Sequence, residues 1–281
     1  MKPSVPPGPP PELRFKPRTN LAGAVRGVWR ARQLVRTLAE RELRARYKQA
    51  VLGFAWAIVT PVALMVAFSL FLNRFADVPT RGVPYPLFAY VGLLPWTFFS
   101  AALSNGGGSL LANSSLLNKV YCPREVFPLA GVVVAGVDGA TALLALVGLF
   151  LLFGVGPTAE AVWVPVLLAV QVAFTVGITL VFSVSIVYLR DVRHALALVL
   201  QFGLFATPVA YGMEAVPERL RLVYSAVNPL APVIDGYRRT VLFGQAPRWD
   251  LLAAGSLTAV VVLVGGYAYF KRLEGGLADV A

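Results

Sequence analysis

Apolar residues run along this chain in six long stretches, 51–73, 86–112, 127–153, 162–188, 195–213 and 251–270, parted by short polar segments. A helix needs about 20 predominantly apolar residues to cross the hydrocarbon core of a bilayer, so each stretch predicts one transmembrane helix. "SNGGGS" at 104–109 weakens the second stretch, and Pro61, Pro95 and Pro208 are expected to kink three of the six. Ahead of the first stretch, 28–48 sets Ala31, Leu34, Val35 and Leu38 at helical spacing. Leu43 and Tyr47 continue the stripe and arginines fill the other face. That pattern predicts an amphipathic helix lying flat at the membrane interface. Between the fifth and sixth stretches, about 215–247 is too apolar for a free loop and too interrupted for a span. It reads as two short helices, about 217–224 and 232–243, re-entering the outer half of the membrane.

The fold class is therefore an all-α integral membrane protein with six transmembrane helices, an interfacial helix at the N-terminal side and short re-entrant helices before the last span. Composition agrees: 57% of residues are hydrophobic, 14% are charged, and mean hydropathy is +0.70. Residues 1–27 are proline-rich and polar, without the short apolar core and small-residue cleavage site of a signal peptide. They are expected to be a disordered cytoplasmic tail ahead of the helix at 28–48 and the six-helix domain at 49–281.

Charge orients the chain. Six spans leave both termini on one side, and of the 25 lysines and arginines all but Arg74, Arg81, Arg219, Arg221, Arg238, Arg239 and Arg248 fall on that side. Positive residues concentrate in the cytoplasm, so both termini are expected there. The net charge of +11 is accounted for by these cytoplasmic segments, and no nucleic-acid partner is expected.

Little chemistry is on offer. Cys122 is the only cysteine and His194 the only histidine, so neither an internal disulfide nor a metal site is expected. "NGGGS" lacks the lysine and the hydroxyl placement of a phosphate-binding loop, so the chain is not expected to hydrolyse ATP alone. Asp138 is the only acidic residue well inside a stretch. It reads either as a proton or ion site or as a packing contact beside Gly136 and Gly139. No catalytic residue is expected. A membrane-bound glycan acyltransferase or polymerase would have to draw on His194, Glu214 and Asp235. Aromatic residues are plentiful instead. Phe68, Phe71, Tyr90, Trp96, Phe99, Phe202, Phe205 and Tyr211 are candidates to line a pore, since aromatic faces stack on sugars and tolerate lipid.

Five segments in order then resemble the membrane subunit of ABC-2 type exporters for polysaccharides and polyol phosphates, which move lipid-linked O-antigens, capsules or teichoic acids. They are "RYKQAVLGFAWAIVTP" at 46–61, "NKVYCPREVFPLA" at 118–130, "YLRDVRHAL" at 188–196, "NPLAPVIDGYRRTVLFG" at 228–244 and "YFKRLEGGLADV" at 269–280. The resemblance implies a homodimer in a bacterial inner membrane with two copies of a separate ATPase subunit, which alone binds ATP and magnesium. It implies that about 116–125 is a coupling helix docking on that ATPase, through Leu117, Asn118, Lys119, Val120, Tyr121, Cys122, Pro123, Arg124 and Glu125. Arg30, Arg32, Arg36, Arg41 and Arg44 would meet the substrate's pyrophosphate headgroup or anionic lipids. Pro217, Leu220, Tyr224, Asn228, Pro229, Pro232 and Tyr237 would gate the outer exit. Two other readings remain open: an exporter of this family for a smaller hydrophobic drug or lipid, and an ion-coupled secondary transporter working through Asp138.

Overall fold

The computed structural model describes residues 27, 29–48, 53–75, 78–117 and 122–276, and every regular element among them is helical. The expected tail, Gly27 apart, lies outside the described residues, as do Asn118, Lys119, Val120 and Tyr121 of the expected coupling helix. The main helices are α1 (Arg32–Tyr47), α2 (Trp56–Phe75), α3 (Tyr85–Ala112), α4 (Val126–Phe153), α5 (Val164–Tyr188), α6 (Val192–Ala206), α7 (Glu218–Val227), α8 (Leu230–Val241) and α9 (Trp249–Leu273).

Helices α2, α3, α4, α5 and α9 are each long and apolar enough to cross a membrane. The expected fifth span is not among them. Residues 195–213 divide into the 15-residue α6, which starts at Val192, and a turn that follows Ala206. Thr207 is extended, as the residue before a proline prefers, so Pro208 ends the helix where a kink was expected. At 1.5 Å per residue α6 is about 22 Å long, short of the roughly 30 Å hydrocarbon core. Pro61 and Pro95, by contrast, sit inside unbroken helices.

Helix α3 is the axis of the bundle. Its first turns are buried on all sides, and Leu87, Phe88, Tyr90 and Leu93 centre the largest apolar cluster. The "SNGGGS" segment does not weaken it, because the helix continues through these residues to Ala112. The glycines instead set its packing on α4: a Cβ on Gly131 would stand 2.5 Å from the Gly106 nitrogen. Helices α5 and α9 meet in the same way, since a Cβ on Gly177 would lie 2.7 Å from Leu263 Cα. In lipid, water expulsion no longer drives helices together, and small residues that admit close backbone contact do that work.

Two ends of the bundle follow from the contacts. One gathers the end of α3, the start of α4 and the ends of α5 and α9, with Asn113, Glu125, Tyr188 and Lys271. The other gathers the start of α3, the turn after α6, α8 and the start of α9, with Tyr85, Glu214, Arg238 and Arg248. Trp163 and Trp249 pack edge to face there, ring centres 4.8 Å apart.

Candidate functional site

At the first end, α1 lies along α4. Val35, Leu38 and Ala39 are buried against Leu110, Val126, Phe127, Ala130 and Val134, so the apolar stripe legible at 31–38 is the face that packs. Polar contacts fasten its later turns. Arg41 Nη2 donates to Asn113 Oδ1. Arg46 Nη1 lies 3.1 Å from Asp138 Oδ2, while its Nη2 reaches Glu42 Oε1 and Asn105 Oδ1, each at 3.1 Å. Tyr47 donates to Asp138 Oδ1 at 2.6 Å. Asp138 thus has a basic partner, supplied by α1 from outside the spans. Burial pushes the Glu42 carboxyl up despite Arg46 and Arg41. Burial and the bond to Asp138 push the Tyr47 hydroxyl up to about 12.

Of the five arginines expected at a substrate headgroup, Arg36 and Arg44 both approach Glu40, at 2.7 and 4.0 Å. Arg32 donates to the Trp29 carbonyl and lies 5.1 Å from the centre of its ring. Arg41 holds Asn113, and Arg30 is exposed. The five do not converge on one point.

Below α1, a cavity of about 460 Å³ opens between α1, α2, α3 and α4. Trp56, Trp96 and Phe98 form part of its wall, with hydroxyl-bearing Thr97, Ser100 and Ser104 and the Arg46–Asp138 pair.

The described part of the expected coupling segment is tied to the end of α9. Glu125 is buried, and its Oε2 lies 2.8 Å from Lys271 Nζ, which also reaches Glu274 Oε2 at 2.7 Å. Arg124 Nη1 donates to the Glu274 carbonyl, and Tyr188 donates to the Leu273 carbonyl. Cys122 and Pro123 precede this clamp, and burial pushes the Cys122 thiol up. Leu117 ends a single helical turn, Ser114–Leu117.

At the second end, the residues expected to form a gate share one region. Pro217 caps α7 and Pro229 caps α8. Tyr224 donates to the Ala206 carbonyl and Asn228 Nδ2 to Thr207 Oγ1 at 2.9 Å, so α7 grips the broken end of α6. Pro232 packs where Gly255 of α9 has no side chain, Tyr237 donates to Gln171 Oε1 at 2.9 Å, and Leu220 is exposed. Helix α8 also carries the residue that sequence reasoning passed over. Arg238 is 2% exposed. It donates to the carbonyls of Phe88, Pro208, Val209 and Tyr211, and its guanidinium stacks 3.7 Å from the Phe88 ring centre. Its signal was its register: Arg238 lies four residues after Ile234 and three before Val241, both buried, so it shares the apolar face of α8. Nearby, Glu214 joins Arg81 at 2.8 Å and Arg248 at 3.1 Å. Burial raises the Glu214 carboxyl, but its own backbone N–H and the arginines 248, 81 and 221 hold it below its ordinary value.

The candidate pore aromatics divide by position. Tyr90 is enclosed, donating to the Ala142 carbonyl at 2.8 Å, and Phe99 stacks on Phe174 with ring centres 5.7 Å apart. Phe68 is buried, and Trp96 is buried but borders the cavity. Phe71, Phe202 and Phe205 face out of the chain, and Tyr211 donates to the Phe205 carbonyl. His194, in the first turn of α6, is at the opposite end of the bundle from Glu214 and Asp235, so the three do not meet.

Known proteins are similar along most of this length. The family model described as ABC-2 type transporter matches residues 33–242. An O-antigen export system permease protein, RfbA of Myxococcus xanthus, is 31% identical over 257 residues, covering 91% of this chain and 98% of that one. RfbA of Klebsiella pneumoniae is 27% identical over 88% of this chain and 94% of its own. The polysialic acid transport protein KpsM of Escherichia coli is 24% identical over 85% and 93%.

Proposed function

Because this chain belongs to the ABC-2 type transporter family, we propose that it is the membrane subunit of an ATP-driven exporter of a lipid-linked polysaccharide, of O-antigen or capsule type. The observation that carries the reading is the similarity to O-antigen export permeases over nearly the full length of both chains. The substrate is handed over on the cytoplasmic face of a bacterial inner membrane and released outside. The basic N-terminal region sets the orientation, with both termini in the cytoplasm. Helix α6 and the turn after it make the fifth of six crossings, and α7 and α8 dip into the outer half of the membrane. Two copies of the chain enclose the pore, and two ATPase subunits below them bind ATP and magnesium.

The clamp suggests how force crosses the chain. An ATPase seated on 116–125 pushes a segment whose Glu125 is tied through Lys271 to the end of α9. Helix α9 is unbroken over its 25 residues and packs at its far end against α7, which grips α6 through Tyr224 and Asn228. Strain applied at one end of the bundle therefore reaches the broken helix at the other. Arg46 and Tyr47 commit the Asp138 carboxylate to structural contacts, which favours ATP-driven transport over ion coupling.

The test is complementation. A host deleted for its O-antigen permease, given this chain with the ATPase encoded beside its gene, should display glycan on its surface. A Walker-lysine variant of that ATPase should abolish the display. Display that persists without ATP hydrolysis, or never occurs with any lipid-linked glycan, removes the reading.

A further inference from the structure

The cavity between α1, α2, α3 and α4 has the size and the walls of a small-molecule site, and its charges select among occupants. Its volume of about 460 Å³ falls in the roughly 300–1,000 Å³ range of ligand pockets. The Trp56 indole, 51% exposed, offers a broad apolar face, Trp96 is buried and borders the cavity beside it, and Ser100 and Ser104 add hydroxyls to the Asp138 carboxylate. Aromatic surface beside a carboxylate and hydroxyls suits a ring with apolar C–H faces and a rim of hydroxyl groups.

An anion fits poorly. Arg46 is the cation on the wall, and it is already engaged by Asp138 and Glu42, two carboxylates against one guanidinium. A phosphate entering here would have to displace one carboxylate and stay near both. An acyl chain fits no better, since it would strip water from the ion pair without replacing the lost hydrogen bonds. A neutral polyol can instead donate to the free lone pairs of Asp138 and leave the pair intact.

We infer that this cavity is a binding subsite for one uncharged sugar residue of the transported glycan, separate from any site for its phosphorylated end. The inference rests on the transport reading above for its ligand but uses its own residues. Trp56 stacks the ring, Trp96 closes the wall beside it, Asp138 accepts from its hydroxyls, and Arg46 and Tyr47 hold Asp138 in place.

The test needs neither ATPase nor export. Ser104→Cys, in a Cys122→Ser background in lipid nanodiscs, places a thiol on the cavity wall, and Ser115→Cys, exposed outside the cavity, is the control. Maleimide labelling is followed with glucose, galactose, mannose, rhamnose, N-acetylglucosamine or inorganic phosphate up to ~100 mM, which covers millimolar affinities. The expected result is that at least one sugar slows labelling of the cavity thiol roughly threefold and leaves the control unchanged, while phosphate does nothing. Trp56→Ala, a half-exposed position that folding tolerates, should cancel the protection, as should Asp138→Asn. Protection by phosphate alone, or by none of the probes, overturns the inference. Glycan display in the deletion host separates the two failures. Display without sugar protection rejects the subsite and keeps the transport reading, whereas sugar protection without display rejects the transport reading and keeps the cavity as a sugar site.

Discussion

Arg46 and Arg238 are both guanidinium groups drawn into an apolar bundle, and the protein compensates them by opposite means. Arg46 reaches two carboxylates and an asparagine from the end of a helix held on the outside of the spans. Arg238 has carbonyl oxygens and the face of Phe88. The difference lies in what each arginine keeps in place. An ion pair joins two elements that can part and rejoin, since each side chain has other partners or reaches water. A fork of donors spent on the backbone carbonyls of the turn beyond a broken helix fixes a chain path that no regular hydrogen bonding would maintain. Arg238 thus stands in for the missing helical donors after Ala206, and Arg46 fastens a part that lies against the bundle.

Arg238→Ala should cause the largest loss. It leaves several buried carbonyls without donors, and removing one partner of a buried charged contact costs about 3–5 kcal/mol. The purified protein should fail to accumulate as a monodisperse species, and Arg238→Lys should rescue little, because an ammonium cannot reproduce the planar fork. Next comes the clamp. Lys271→Ala strands the buried Glu125, and a double-mutant cycle with Glu125→Ala in thermal unfolding should give a coupling of about 1–3 kcal/mol. The same variants should keep ATPase turnover while export falls. Asp138→Asn should cost about 1 kcal/mol, since Tyr47 can still donate to the amide and Arg46 keeps Glu42. Export that survives in Asp138→Asn would separate Arg46 from Arg238 as the dispensable contact and would dispose of ion coupling.

The smallest effects belong to the exposed network at the second end. Arg81→Ala should change stability by less than ~1 kcal/mol. Glu214 has a folded pKa held below its ordinary 4.5, so its contribution is fully present above that value and is lost as pH falls through the lower, folded one. The difference in unfolding midpoint between the wild type and Glu214→Gln should stay level from neutral pH down to about 5. It should shrink only in more acid solution.

The two arginines also mark how far residues alone carried the reading. Apolar runs located five long helices to within a few residues, because crossing a bilayer imposes a length that composition reveals. The stripe at 31–38 named the packing face of α1 for the same reason. What failed was tertiary. Asp138 looked isolated because its partner is 92 residues away on a different element. "SNGGGS" looked like a break because glycine weakens a solvated helix, yet α4 needs those missing side chains in order to approach. Residues 195–213 looked like one span because hydropathy cannot show that the helix stops before Pro208 and gives way to a turn whose carbonyls an arginine 30 residues after Pro208 will satisfy. The candidate site was legible as a set of segments and not as contacts: Glu125 fell within the expected coupling helix, and its bond to Lys271 did not follow from spacing.

The central claim is that the end of the bundle carrying Glu125 faces the cytoplasm and receives an ATPase. Ser115→Cys in a Cys122→Ser background puts an exposed thiol on the turn leading into that segment. An impermeant maleimide should label it in inside-out vesicles and not in intact spheroplasts, and co-expressed ATPase should block the labelling. Labelling from the outside, or cytoplasmic labelling that the ATPase leaves unchanged, would contradict the account.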